Sequence, residues 1–308
     1  PLLRNRAAAY RDLHAAKPAV ADAERALALG IAAWGTAYPE VAATRVLLGL
    51  AYIEQLGDVD RGEQQLQLAL AQYRIQLGDD SVEGAICEQG LSQAGMYRGD
   101  YATALGHAER AAAVFARKLG TDTPRRGEAL IGVGALRYLR KDFTGSLAAY
   151  REAAPLLGAA LGQDATNVGV LHANIGETLL ALGRDQDAEQ EFAQALAILE
   201  RKVGPRHAYL ALPLKGLGLA RLDRHQPREA IDPLERALAL HAADPAGDPQ
   251  ELAEVRWALA RALQLVGRDP ARARELAEAA LAGYRALGAQ SADRVAEIAR
   301  WLTRTHIP

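Results

Sequence analysis

The chain has a single cysteine among 308 residues, Cys87, so it has no partner for an internal disulfide and no thiol pair for a zinc site. Aromatic residues make up only 5% of it, although half of all residues are hydrophobic. A core poor in rings must come from close approach of Ala- and Leu-rich surfaces. Net charge is −2, which provides no basic field to hold a phosphate backbone and excludes nucleic acid as the expected partner. No run approaches the roughly 18 apolar residues of a membrane span, and the N-terminus has no signal-peptide pattern. No stretch alternates at period two long enough to build a sheet.

Motifs for chemistry are also missing. The seven histidines, His14, His107, His172, His207, His225, His241 and His306, stand at no ligand spacing, and solvated or capping roles are expected of them. There is no GxSxG elbow, no Walker loop, and no nucleophile with a base at recognisable spacing. The chain is therefore read as a non-enzyme without metal or cofactor. Gly132-Val133-Gly134 and Gly216-Leu217-Gly218 could open a dinucleotide loop, but they lie inside predicted helices with no strand before them, so close helix approach is expected instead. Charged clusters such as Asp187, Glu189 and Glu191, or Arg268, Arg272 and Arg274, are read as solvated helix faces.

What the sequence does have is a period of 42. Gly57, Gly99, Gly183 and Gly267 fall on one grid whose remaining places hold Lys141 and His225. Ala69, Ala111, Ala153, Ala195, Ala237 and Ala279 form a second column, and Gly78, Gly120, Gly162, Gly204 and Gly288 a third, broken only at Ala246. Such self-similarity means stacked units that bury their apolar faces against one another. In the unit from Ala165 to Arg206, Val168, Leu171, Ile175, Leu179 and Leu182 mark an amphipathic helix that stops at Gly183. Ala188, Phe192, Ala195, Leu196 and Leu199 mark a second helix, which ends at Gly204-Pro205.

Each repeat is thus a helix hairpin. First helices are predicted near 39–56, 81–98, 123–140, 165–182, 207–223 and 249–266, and second helices near 60–77, 102–118, 144–160, 186–202, 227–242 and 270–286. Residues 1–38 read as a partial repeat, 39–290 as six full repeats and 291–308 as a capping helix, all in one continuous solenoid. Pro213 falls in the opening turns of its helix, where a kink can arise. Arg272 replaces the small residue found as Gly62, Ala104, Ser146, Ala188 and Ala230, which predicts looser packing in the sixth repeat. Beginning in mid-repeat at Pro1 without an initiator Met, the chain reads as a fragment of a longer protein.

Spacing within the repeat narrows the family. Gly176 stands 12 before Ala188, with Phe192 and Ala195 beyond it, and this skeleton resembles the tetratricopeptide repeat, lengthened by about a turn per helix. Tyr38-Pro39-Glu40-Val41-Ala42, Gly204-Pro205-Arg206-His207 and Asn174-Ile175-Gly176 are similar to phrases of the kinesin-light-chain type of that repeat. The resemblance implies an all-α fold, an α-solenoid wound as a right-handed superhelix of hairpins, with first helices lining a concave groove. By grid position the groove residues are Gln89, Gln93 and Tyr97, then Glu128 and Tyr138, then Asn174 and Glu177, then Lys215, and finally Trp257 and Arg261. Met96, Ile131, Leu139 and Leu180 are assigned instead to packing between neighbouring first helices. Of the asparagine pairs that line the kinesin-light-chain groove, only Asn174 is present, and Ala173, Gly132, Gly90 and Gly216 occupy related places.

The function implied is a protein-interaction scaffold that takes a peptide or partner protein, within a larger regulatory or signalling protein. The excess of Arg over Lys, with abundant Ala, Leu and Gly, is that of high-GC bacteria. The alternative is a ligand- or peptide-sensing domain with an enclosed pocket. The segment itself is expected to be soluble, with the cytoplasm favoured over the periplasm.

Overall fold

In the computed structural model, residues 2–13, 15–243 and 247–304 are described. Pro1, His14, Ala246 and His306, each named above, lie outside them. The described residues form fifteen α-helices and no strand. They divide into two compact units, Pro1–Ala160 and Leu161–Pro308.

The first unit holds α1 (Leu2–Asp12), α2 (Ala16–Trp34), α3 (Pro39–Ala51, continued by a π-helical turn Tyr52–Leu56), α4 (Val59–Leu77), α5 (Val82–Arg98), α6 (Tyr101–Leu119) and α7 (Pro124–Leu139), with α8 (Phe143–Leu161) closing it. The second holds α9 (Thr166–Ala181), α10 (Asp185–Val203), α11 (Ala211–Asp223), α12 (Pro227–Ala243), α13 (Pro249–Leu265), α14 (Pro270–Ala286) and α15 (Ala292–Arg304). Grid helices match the predicted ranges within a residue, except where a 3-10 turn, Ala208–Leu210, precedes α11. That turn takes up the start of the helix, leaving Pro213 in its first turn without a break.

Backbone conformation explains the two glycine columns. Gly57, Gly99, Gly183 and Gly267 adopt φ of 65°, 76°, 69° and 66°, ending each first helix in the left-handed region. At Gly99 the next residue completes the stop, with Asp100 N–H donating to the Gly95 carbonyl at 2.9 Å. Asp100 then caps α6 by accepting from Thr103 N–H. Lys141 and His225 take the same turn at φ 63° and 60° despite their side chains. The third column is stricter. Gly78, Gly120 and Gly204 combine φ of 84°, 97° and 86° with ψ of 174°, 163° and 165°, a region open essentially to glycine alone.

The small columns bring helices together. Ala69, Ala111, Ala153, Ala195 and Ala237 are all fully buried. A Cβ on Gly216 of α11 would stand 2.2 Å from the Phe192 ring, and one on Gly218 2.4 Å from Leu234. One on Gly134 would meet Tyr150 at 2.5 Å. Gly132 differs, since a Cβ there would meet nothing within 4 Å, so close approach does not account for it.

The sixth hairpin departs from the grid. Its buried set is Ala273, Ala277, Ala280, Leu281 and Tyr284, one residue later than the grid predicts, and Ala279 is only half-buried. The cause lies in the turn, where Asp269 takes a left-handed φ of 46° before Pro270 and caps Arg272 N–H. That extra residue shifts the register of the helix face. Arg272 consequently points away from the packed contact and pairs with Glu235 at 2.6 Å, while Ala273 supplies the small residue. The looser packing expected of Arg272 is not found.

Candidate functional site

First helices carry polar side chains that are neither core nor fully solvated. In the first unit, Gln89 and Gln93 are half-buried on α5 and share a cleft of ≈ 370 Å³ with Val46 and Leu50 of α3, Arg11 and Arg125. The amides stand one helical turn apart, so both reach the same opening. Amides, guanidiniums and the Glu54 carboxylate thus surround an aliphatic floor. Tyr97 is 61% exposed and Glu128 is exposed. Tyr138 belongs to its own hairpin, meeting Phe143 edge-on at 5.3 Å.

In the second unit, Asn174 and Glu177 are half-buried on α9, and the Asn174 carbonyl accepts from Thr178 Oγ1 at 2.8 Å. Arg261 opens into a cleft of ≈ 490 Å³ between α13 and α15. The column of Gln93, Glu177 and Arg261 is therefore half-buried at every polar member. Gln89 with Gln93, and Trp257 with Arg261, are the predicted residues that share a cleft.

Two predicted groove residues are corrected. Lys215 is buried and held by Glu251 at 2.6 Å and Glu254 at 2.9 Å. Burial opposes its charge, but the two carboxylates outweigh burial and hold the ammonium above the ordinary lysine value. It is an internal ion pair between α11 and α13 rather than a free cation. Trp257 is 4% exposed and meets Trp301 at 5.4 Å and 88°, so it floors a cleft instead of projecting as an anchor. Leu139 is exposed, which removes the packing role assigned to it, whereas Met96 does pack against the Ala104–Leu136 core.

Other polar groups turn out to be paired. Glu88 is buried beneath Arg74, His107 and Arg110, at 3.1, 2.5 and 3.0 Å. Burial works against its ionisation, yet hydrogen bonds from His107 and Arg110 hold the carboxyl below the usual range. His172 contacts Glu191 at 2.6 Å. These two histidines thus contact carboxylates through Nδ1, while His207 accepts from Tyr209 N–H in the expected capping role. Glu189 joins Arg221 and Arg224 across helices and is not merely solvated. Burial pushes the Cys87 thiol up to about 12, leaving it protonated and inert.

The residues that sequence reasoning missed lie on α15. Its apolar stripe of Val295, Ile298 and Leu302 reads as an end cap, and Ile298 is indeed fully buried. The same helix also presents Arg300, Trp301 and Arg304 to the cleft. A repeat template assigns no groove position to a terminal helix, so only the Arg-Trp-Arg spacing of 300, 301 and 304 could have flagged it. Among the described residues no group of three His, Cys, Asp or Glu side chains could hold a metal ion, and no helix is long and apolar enough to cross a membrane.

The described residues define an α-solenoid built of repeated helix hairpins. Residues 167–243, which span α9 to α12, match the tetratricopeptide-repeat family model. That match covers two of the hairpins, and the fold of the chain is that of the tetratricopeptide-repeat solenoids it resembles. Among solved structures it is similar to the kinesin-light-chain TPR-like repeats of Podosopora anserina, with 18% identity, a TM-score of 0.57, and coverage of 68% of this chain and 99% of that one. It is also similar to BtubC from P. vanneervenii, with 18% identity, a TM-score of 0.58, and coverage of 81% and 94%. A signal-transduction ATPase with a tetratricopeptide-repeat sensor from Pyrococcus horikoshii gives a TM-score of 0.73 at 14% identity, covering 96% of this chain and 43% of that one. No curated protein sequence matches the chain.

Proposed function

We propose that the chain is a protein-interaction scaffold that binds a peptide or partner protein along its first helices, within a larger bacterial regulatory or signalling protein. The observation that carries this reading is the half-buried polar column Gln93, Glu177 and Arg261. In a packed helix face these places would be apolar, and on a free surface they would be fully solvated. The clefts beside Gln93 and Arg261 hold amides and guanidiniums over aliphatic or indole floors, a mixture that grips backbone through hydrogen bonds and side chains through contact area. Both clefts open to solvent, which favours this reading over an enclosed small-molecule pocket. The regulatory setting is supported by the Pyrococcus horikoshii ATPase, of which a segment like this chain forms under half.

The test is a pull-down followed by titration. Once a partner is captured, Gln93→Ala and Glu177→Ala together are expected to weaken it at least tenfold, or ~1.4 kcal/mol, with the helical signal intact. Unchanged affinity would place the partner on the second helices, the loops or the repeat ends.

A further inference from the structure

The cleft between α13 and α15 has a chemistry of its own. Its floor is the edge-to-face pair Trp257 and Trp301, with the Trp301 indole N–H donating to Gln264 Oε1 at 2.5 Å. The Trp257 indole N–H is buried and has no acceptor. An orphaned buried donor is costly to leave unmade.

The walls are cationic. Arg261, Arg300 and Arg304 line the cleft with one carboxylate, Glu297, and Glu297 is already engaged by Arg294 at 2.6 Å. Arg300 spends its Nε–H on the Ala296 carbonyl of its own helix at 3.2 Å. Arg261 feels Asp223 at longer range. Among the described residues, none of the three guanidiniums has a carboxylate at ion-pair distance, whereas Arg272, Arg274 and Arg294 in the same unit each have one. Three forked donors around an indole floor match a planar carboxylate attached to an apolar group. A nucleic-acid phosphate is disfavoured by the chain's net charge of −2.

We infer that this cleft binds an acidic peptide, seating a carboxylate among Arg261, Arg300 and Arg304 and the adjoining apolar side chain on the Trp257–Trp301 pair. The inference deepens the scaffold reading and rests on it. The carboxylate can come from an Asp or Glu side chain or from a free C-terminus, and the experiment separates these.

The protein is used whole, with Trp34→Phe so that its indole fluorescence reports Trp257 and Trp301 alone. Three acetylated peptides are titrated: Gly-Ser-Gly-Leu-Asp amide, Gly-Ser-Gly-Ser-Leu with a free C-terminus, and Gly-Ser-Gly-Leu-Asn amide. A saturable change is expected with at least one of the first two, at least tenfold weaker with the neutral third. Which carboxylate peptide binds identifies the source. Arg300→Gln with Arg304→Gln, and separately Arg261→Gln, are expected to weaken binding at least tenfold, while Arg274→Gln on α14 leaves it unchanged. An equal response to the neutral peptide overturns the inference, as does the absence of any saturable change up to ~5 mM, which would leave less than about 3 kcal/mol of binding. The wild-type peptide comparison decides even if a variant fails to fold. A partner lost on Gln93→Ala with Glu177→Ala, alongside no carboxylate response, would sink this inference and leave the scaffold reading standing.

Discussion

Gly216→Ala and Gly132→Ala make the same change at the same repeat position, and the structure predicts opposite signs for them. Replacing a helical glycine by alanine should gain ~0.8–1 kcal/mol from backbone preference alone. At Gly132 nothing stands within 4 Å of the new Cβ, so the gain should appear nearly whole. At Gly216 the Cβ would lie 2.2 Å from Phe192 Cζ and 2.5 Å from both Cε atoms. Phe192 is fully buried and also closely packed by the Gly176 backbone, where a Cβ would stand 2.8 Å from the same ring, so it has little room to shift. Overpacking of this kind costs ~1–3 kcal/mol or more. Set against the ~0.8–1 kcal/mol gain in backbone preference, this leaves a net loss of up to about 2 kcal/mol at Gly216, against a net gain of up to about 1 at Gly132. Urea denaturation read by far-UV circular dichroism gives both signs. Phe192→Leu should rescue Gly216→Ala, with a favourable coupling of at least ~0.5 kcal/mol in the double-mutant cycle. A stabilised Gly216→Ala would refute the claim that this ring fixes the approach of α10 and α11.

Lys141→Gly and His225→Gly should each stabilise by about 1 kcal/mol, because both residues hold a left-handed φ that costs a side-chain-bearing residue ~1–2 kcal/mol; their unfolding midpoints in urea should rise. Glu88 is held below its ordinary pKa in the fold, so its contribution is present above the unfolded value of ~4.3 and lost as pH falls through the folded one. Glu88→Gln should accordingly cost about 1–3 kcal/mol at neutral pH and flatten the stability profile below pH ~5; an unchanged acid limb would show the node to be inert. Ala195→Leu should cost ~1–3 kcal/mol by overpacking, whereas Ala279→Leu, on a residue left half-buried by the register shift, should cost clearly less by the same thermal or urea assay.

Much of the fold was legible because one set of physical demands recurs at a fixed interval. A glycine stop, a small contact residue and an apolar stripe at 3.6-residue spacing repeat often enough that exceptions such as Lys141 and His225 still betray the turn they occupy. The register shift in α14 was not legible. Ala279 and Ala280 are chemically identical, and only the backbone at Asp269 and Pro270 decides which one faces the core. The site was less readable than the fold for a similar reason. Grid position places a residue on a helix but does not say what sits opposite it, and Lys215 looked like a groove cation until α13 brought Glu251 and Glu254 against it. Gln93, Glu177 and Arg261 were easier, since a polar residue amid Ala, Gly and Leu stands out locally. The α15 residues escaped because a terminal helix has no successor to compare with.

The central claim is that the first-helix clefts are the working surface, and site-specific photo-crosslinking tests it most directly. A benzophenone amino acid placed at Gln93, Glu177 or Arg261, and as controls at Ile75 on α4 and Gln194 on α10, both exposed on second helices, would be irradiated with the captured partner. Crosslinks from the first three positions, with little or none from the controls, are the predicted result. Crosslinks confined to Ile75 and Gln194 would contradict the account.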